Sequence, residues 1–268
     1  MLTRSIGIFA LILILFSVFN FIISKNKLTG DNTYAFFLFV ISFGLIPNLI
    51  IDINSVFFYI ILLLFFRKIY SLRKPKSIFI KLFDSALWLG VAFLLEPMSI
   101  LYLVLIYGAI FLFLEYSIRT IVIPVLGFVT PVFLYFTYCF YTDQMMQFER
   151  LFVLNFDVNS NFYNTSFYTA VFSLFGIVTL LSVLLKSAKI FSVSNRFKRS
   201  WILLLLHLLL SIVFVVSLKT HNGTALIAVS IPTAIIIANW VQSIENKWFA
   251  EMVLLTLLIF SFVIHFIV

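Results

Sequence analysis

The sequence predicts an all-α fold: a polytopic bundle of about ten membrane-spanning helices, with both chain ends on the outer side. Three observations predict it. Hydrophobic residues make up 63% of the chain and charged residues 10%, with a mean hydropathy of +1.19. A soluble domain has roughly 45–50% apolar and 25% charged residues. The apolar residues also fall into segments close to the roughly 20 residues that cross a bilayer. Third, the basic residues sort onto alternate loops. Helices follow because hydrocarbon offers no partner to a backbone N–H or C=O, so each span must satisfy its own.

Taken in order, the segments are 5–24, 34–51, 54–71, 78–95, 97–114, 118–140, 166–186, 200–218, 223–241 and 248–267. The first is too long for a signal-peptide core and has no small-residue cleavage site after it, so it reads as a retained helix. The second to sixth are joined by very short turns and form tight hairpins. Turns at 51–54 and at Glu96-Pro97 alternate with turns at 72–77 and 116–119. Pro97 suits a first helical turn, where its missing N–H costs nothing. Two connections are longer, 142–165 and 186–199. They divide the chain into a six-helix block (1–141), a linker (142–165) and a four-helix block (166–268), with no convincing internal repeat.

With the loops numbered along the chain, the odd ones carry most of the positive charge. They hold Lys25 and Lys27; Arg67, Lys68, Arg73, Lys74, Lys76 and Lys81; Arg119; Lys186, Lys189, Arg196, Lys198 and Arg199; and Lys247. That is fifteen of the 18 Lys and Arg residues, leaving Arg4, Arg150 and Lys219 for the N-terminal end and the even loops. Cytoplasmic loops retain positive charge, so the odd loops are expected inside. The net charge of +8 therefore marks contact with anionic headgroups of a lipid bilayer, and nucleic acid is not an expected partner. The lone Cys139 excludes a disulfide within one chain and argues against a cysteine metal site; no metal is predicted.

The linker holds a further element. Met145, Phe148 and Phe152 recur at helical spacing, while Glu149 and Arg150 point elsewhere. The pattern predicts a short amphipathic helix on the outer leaflet, followed by a loop over 155–165.

Ionisable residues inside spans are expensive and are functional candidates by default. Asp84 lies about two turns into the fourth span, with Lys81 at i−3 on the same face. The alternative to a functional role is an ion pair near the inner interface. His207 sits mid-span among leucines, where it serves either a proton relay or interhelical hydrogen bonding. Glu115 and Arg119 read as a surface pair, and Glu251 reaches toward the inner interface. The outer face collects Asp52, Glu96, Asp143, Glu149 and Asp157. Asp52 and Glu96 occupy two hairpin tips of one block and are weak catalytic candidates. Converging carboxylates can hold a divalent cation or act as a base toward a hydroxyl, or they are simply tolerated outside. Pro47, Pro124, Pro131 and Pro232 are candidate helix kinks that could line a substrate path. The chain has no Walker loop, dinucleotide fingerprint, His-Glu-x-x-His or Gly-x-Ser-x-Gly motif, and its cofactor, if it has one, is unknown. Two sequons, at Asn164 and Asn222, fit the glycosylation pattern.

Several stretches carry a resemblance. They are Asn26-Lys27-Leu28-Thr29 with Tyr34-Ala35, Arg67-Lys68-Ile69-Tyr70-Ser71-Leu72, Lys81-Leu82-Phe83-Asp84-Ser85-Ala86, and Ile123-Pro124 with Gly127 and Pro131. Over roughly residues 20 to 135 the chain resembles a domain-of-unknown-function family of bacterial polytopic inner-membrane proteins. That resemblance implies a multi-pass protein of the bacterial inner (cytoplasmic) membrane and brings no activity with it. Members carry one more N-terminal hydrophobic segment, which this chain is expected to lack. From about 50 to 140 the order of features is also similar to the membrane module of polyprenyl-phosphate-dependent glycosyltransferases. There an outer Asp or Glu acts as base and amphipathic helices rest on the outer leaflet. Asp52 and the 145–152 segment would be the counterparts, although the loop holding Asp52 is only a few residues long. The leading expectation is a subunit handling lipid-linked glycans or envelope assembly at the outer face, with polyprenyl-phosphate lipid as a partner. The alternatives are a proton-coupled small-molecule transporter using Asp84 and His207, and a non-catalytic scaffold for other membrane proteins.

Overall fold

The computed structural model describes residues 2–30, 32–44, 53–153, 166–190, 195–218 and 223–267. Its helices are α1 (Leu2–Asn26), α2 (Tyr34–Gly44), α3 (Ile53–Ser71), α4 (Ile78–Leu95), α5 (Leu103–Phe113), α6 (Ile118–Tyr141), α7 (Met145–Arg150), α8 (Ser166–Ile190), α9 (Asn195–Ser217), α10 (Leu226–Val241) and α11 (Lys247–Ile267). Two 3-10 helices, Pro97–Tyr102 and Gly223–Ala225, lead into α5 and α10. No strand occurs among the described residues.

Six helices among these residues are long and apolar enough to cross a membrane: Ile6–Asn26, Ile53–Ser71, Ile78–Leu95, Ile118–Tyr141, Phe197–Ser217 and Gly223–Val241. Tyr34–Gly44, Pro97–Phe113 and Ser173–Ala188 are apolar but shorter. Pro47, Asp52, Asp157 and the loop expected over 155–165 lie outside the described residues.

Helix α6 shows why this surface belongs in lipid. It begins at a capping box in which the Ser117 hydroxyl accepts from the Thr120 N–H (3.2 Å) and the Ser117 N–H donates to the Thr120 hydroxyl (3.0 Å). It then buries Thr120, Pro124, Gly127 and Pro131 and exposes Val122, Val125, Leu126, Val129, Phe133 and Leu134. The small and polar residues face inward and the large apolar ones outward, the reverse of a helix in water. Membrane helices pack this way because small residues let backbones approach.

The buried face of α6 meets α4. A Cβ on Gly90 would stand 2.5 Å from Pro131 Cγ and 2.6 Å from the Phe128 carbonyl oxygen. A Cβ on Gly127 would stand 2.5 Å from the Phe83 carbonyl oxygen. Pro124 and Pro131 are both buried inside α6, which continues through them, and Pro131 lies at this tight crossing. A proline ring carries no N–H, so it offers a compact apolar surface to a glycine notch. Pro232 is likewise buried inside α10.

The blocks predicted on either side of the linker interlock. Helix α2 packs chiefly against α10 and also touches α11, and the Pro97–Tyr102 helix and α5 pack against α9. Helix α3 lies between α1 and α4. Three odd loops meet at one end of the bundle. Lys74 Nζ donates to the Lys25 carbonyl (3.4 Å), while Gln242 Oε1 accepts from the Gly30 N–H (2.8 Å) and from Asn32 Nδ2 (3.0 Å). The start of α3, the end of α4, the end of α9 and the Gly223–Ala225 turn meet at the other end. The segment expected at the outer leaflet contains α7, whose Phe148 packs on Phe136 of α6 (5.2 Å between ring centres) and on Phe152 (5.2 Å). Met146, Glu149 and Arg150 stay exposed.

Candidate functional site

A cleft of about 350 Å3 opens at the even-loop end. Asn54, Ser55, Phe58 and Tyr59 of α3 line it, with Leu94, Leu95 and Glu96 at the end of α4, Phe214 and Leu218 of α9 and its following residue, and Thr224 and Ala225. Its polar groups are three hydroxyls (Ser55, Tyr59 and Thr224), an amide and a carboxyl, set against aromatic and aliphatic walls. No Lys or Arg is among these lining residues. Pockets of this size and mixture suit a small ligand or part of a larger one.

Local geometry places Glu96. The residue is extended (φ −140°, ψ 100°) and ends α4 by donating its N–H to the Ala92 carbonyl. Pro97 follows at the first position of the 3-10 helix, where it needs no donor. Partial burial pushes the Glu96 carboxyl above the usual carboxylate range, and the Met98 backbone N–H pulls it partly back. Asp52, its expected companion, lies outside the described residues.

Below Glu96 the 3-10 helix sets a register. Three residues per turn eclipse side chains at i and i+3. Glu96, Ser99 and Tyr102 therefore fall on one face, running inward from the cleft. Ser99 and Tyr102 are fully buried. On α9 opposite, His207, Ser211, Phe214 and Leu218 form an i, i+4, i+7, i+11 stripe toward the same cleft. The Tyr102 and Ser211 hydroxyls hydrogen-bond at 3.0 Å, and the Tyr70 hydroxyl meets His207 Nδ1 at 2.7 Å. Phe66 lies tilted against the imidazole at 3.9 Å (41° between ring planes), and Tyr102 lies edge-on to it at 6.1 Å. His207 Nε2 and Ser99 Oγ are buried and have no hydrogen-bond partner among the described residues.

The other intramembrane candidates sit elsewhere. Asp84 forms its ion pair with Lys68 of α3 (2.5 Å), not with Lys81. Lys81 Nζ donates instead to the carbonyls of Ser71 (2.8 Å) and Lys74 (2.8 Å), closing the turn between α3 and α4. The i−3 relation placed Lys81 on the right face, but α3 brings Lys68 closer. Glu115, Arg119 and Glu251 are exposed, and Lys68–Asp84 is the one ion pair in which both partners are described residues. No group of three His, Cys, Asp or Glu gathers there at metal-binding range.

Sequence reasoning missed Tyr70, Tyr102, Ser99, Ser211, Asn54 and Thr224. Two signals were available: the Glu-x-x-Ser-x-x-Tyr spacing from 96 to 102, and His207 with Ser211 four apart in a leucine run. The chain matches no family model, no curated protein and no solved structure.

Proposed function

We propose that this is a multi-pass protein of the bacterial inner membrane with about ten spans and both ends outside. Its cleft handles the sugar portion of a lipid-linked glycan at the outer face. The observation that carries this reading is the cleft's lining: Asn54, Ser55, Glu96 and Thr224 beside Phe58, Tyr59 and Phe214. Hydroxyls, an amide and a carboxyl recognise sugar hydroxyls, and aromatic rings cover the apolar sugar faces. The cleft lies at the end of the bundle away from Lys25 and Lys74, and basic loops stay in the cytoplasm. Helix α7 supports the reading as an element able to rest at the interface.

The Pro97–Phe113 segment supports its counting as a span. Six 3-10 residues at about 2.0 Å and eleven α residues at about 1.5 Å give roughly 28 Å, close to the hydrocarbon thickness. The test is mass spectrometry of lipids that co-purify from native membranes in mild detergent. A glycolipid or polyprenyl-linked sugar near stoichiometry, lost in Glu96→Gln with Asn54→Ala, supports the reading. A clean wild-type preparation without such a lipid removes it.

A further inference from the structure

We infer that the odd end of the α1–α3 crossing binds an anionic phospholipid, with its phosphate at Arg67, Lys25 and Lys74 and its acyl chains along the two helices. The site stands whichever way the bundle points and whatever fills the cleft.

Two stripes lead to it. On α1, Ile14, Phe21 and Lys25 fall at i, i+7 and i+11, so they share a face, and all three are exposed. On α3, Phe57, Ile60, Leu64 and Arg67 fall at i, i+3, i+7 and i+10, again on one face. Phe57 is exposed and the other three are half-buried. Each stripe carries apolar residues and ends in a cation. Two contacts join the stripes at that end. The Arg67 guanidinium lies over Phe21, 4.9 Å from the ring centre, one turn before Lys25. Lys74, in the turn after α3, donates from Nζ to the Lys25 carbonyl (3.4 Å). Three cations therefore gather at one corner above an apolar seam.

The corner is short of acceptors. The neighbouring Lys68 is taken by Asp84, and Lys81 by the Ser71 and Lys74 carbonyls. Among the described residues no carboxylate pairs with Arg67, Lys25 or Lys74. Arg67 meets only the Phe21 ring there, which leaves the five N–H donors of its guanidinium for oxygen acceptors. Next to Lys25, the buried Asn26 amide also has an unpaired donor, Nδ2. Arginine pairs with phosphate through two parallel N–H donors, which suits it to this role.

The apolar seam decides the source of the phosphate. A free phosphate ion would meet the cations and leave the stripes to other molecules. A phospholipid meets both, with its headgroup at the corner and its chains on Ile14, Phe21, Phe57 and Leu64. Basic pockets between helices at headgroup level recognise acidic lipids in this way. Snorkelling does not account for the corner. A snorkelling side chain stretches toward water, whereas Arg67 is half-buried and lies over a ring.

Native mass spectrometry of the full chain in mild detergent tests the site, with phosphatidylglycerol and phosphatidylcholine of identical acyl chains added in equal amounts. The wild type should retain phosphatidylglycerol several-fold over phosphatidylcholine. Arg67→Gln with Lys74→Gln should abolish that preference, because headgroup attraction grows with each nearby cation. Lys198→Gln with Arg199→Gln removes two charges at the start of α9 and should keep the wild-type preference. Lys25 is exposed, so Lys25→Gln leaves the packing intact and should weaken the preference even if the Arg67 pair misfolds. Excess inorganic phosphate should leave the lipid bound. Equal retention of the two lipids by the wild type would overturn the site. An equal loss in the Lys198 pair would reduce it to bulk charge, and displacement by inorganic phosphate would give the corner to a free ion; either result also overturns the inference.

Discussion

Substitution at the α4–α6 crossing gives a prediction whose size can be worked from the structure. A Cβ added at Gly127 meets the Phe83 carbonyl oxygen at 2.5 Å, where ordinary contact begins at 3.4 Å. The helices must therefore part by about 0.9 Å (3.4 − 2.5). The obstacle is backbone, which cannot swing aside as a side chain would. Gly90 faces the same problem from the other side, against Pro131 Cγ and the Phe128 carbonyl oxygen. Overpacking of this kind costs about 1–3 kcal/mol. For a chain of this size each kcal/mol lowers the midpoint by roughly 2–4 °C. Gly127→Ala and Gly90→Ala should each lower the thermal midpoint of the detergent-purified protein by several degrees. Gly7 and Gly176 supply the control, since a Cβ there meets nothing within 4 Å. Gly7→Ala and Gly176→Ala should be neutral or slightly stabilising, because alanine favours helix. Equal midpoints for all four variants would refute the close crossing.

Two further outcomes follow from the structure. Asp84→Asn or Lys68→Met alone should lower the thermal midpoint by more than the double variant Asp84→Leu with Lys68→Met, because each single change strands a half-buried charge. A transport role for Asp84 predicts instead that the double variant loses function while staying folded. Burial holds the Glu96 carboxyl above its ordinary range, so the folded state prefers the protonated form. Its penalty is absent below the unfolded-state pKa, grows as pH rises through the window up to the raised folded value, and is complete above it. Glu96→Gln should therefore raise the midpoint at neutral pH and make no difference in acid below that window, as read by thermal scans across pH.

The sequence predicted the helices well because each span carries its own signal. Apolar length and the placing of Lys and Arg are local properties, so α3, α4 and α6 stand close to their expected limits, while α9 begins earlier, at Asn195. The turn after Glu96 was readable from Pro97, and α7 from the spacing of Met145 and Phe148. Neighbour choice was not local. Nothing along the chain says that α2 should sit on α10, or that Lys68 reaches Asp84 before Lys81 does. That Pro131 would face Gly90 of α4 was equally hidden, because its neighbour is on another helix. A hint existed in Ala86 and Gly90, small residues four apart on one face of α4. Tyr102 was hidden because a tyrosine in an aromatic-rich span reads as packing until Ser211 is seen opposite.

The account turns on the Glu96 cleft facing outward. Single cysteines at Asn54 in the cleft and at Lys74 in the odd-end turn, each in a Cys139→Ser background, test this in intact spheroplasts with a membrane-impermeant maleimide. The cleft position should label at once, and the Lys74 position only after the membrane is permeabilised. The opposite pattern would put the cleft in the cytoplasm and contradict an outer-face role.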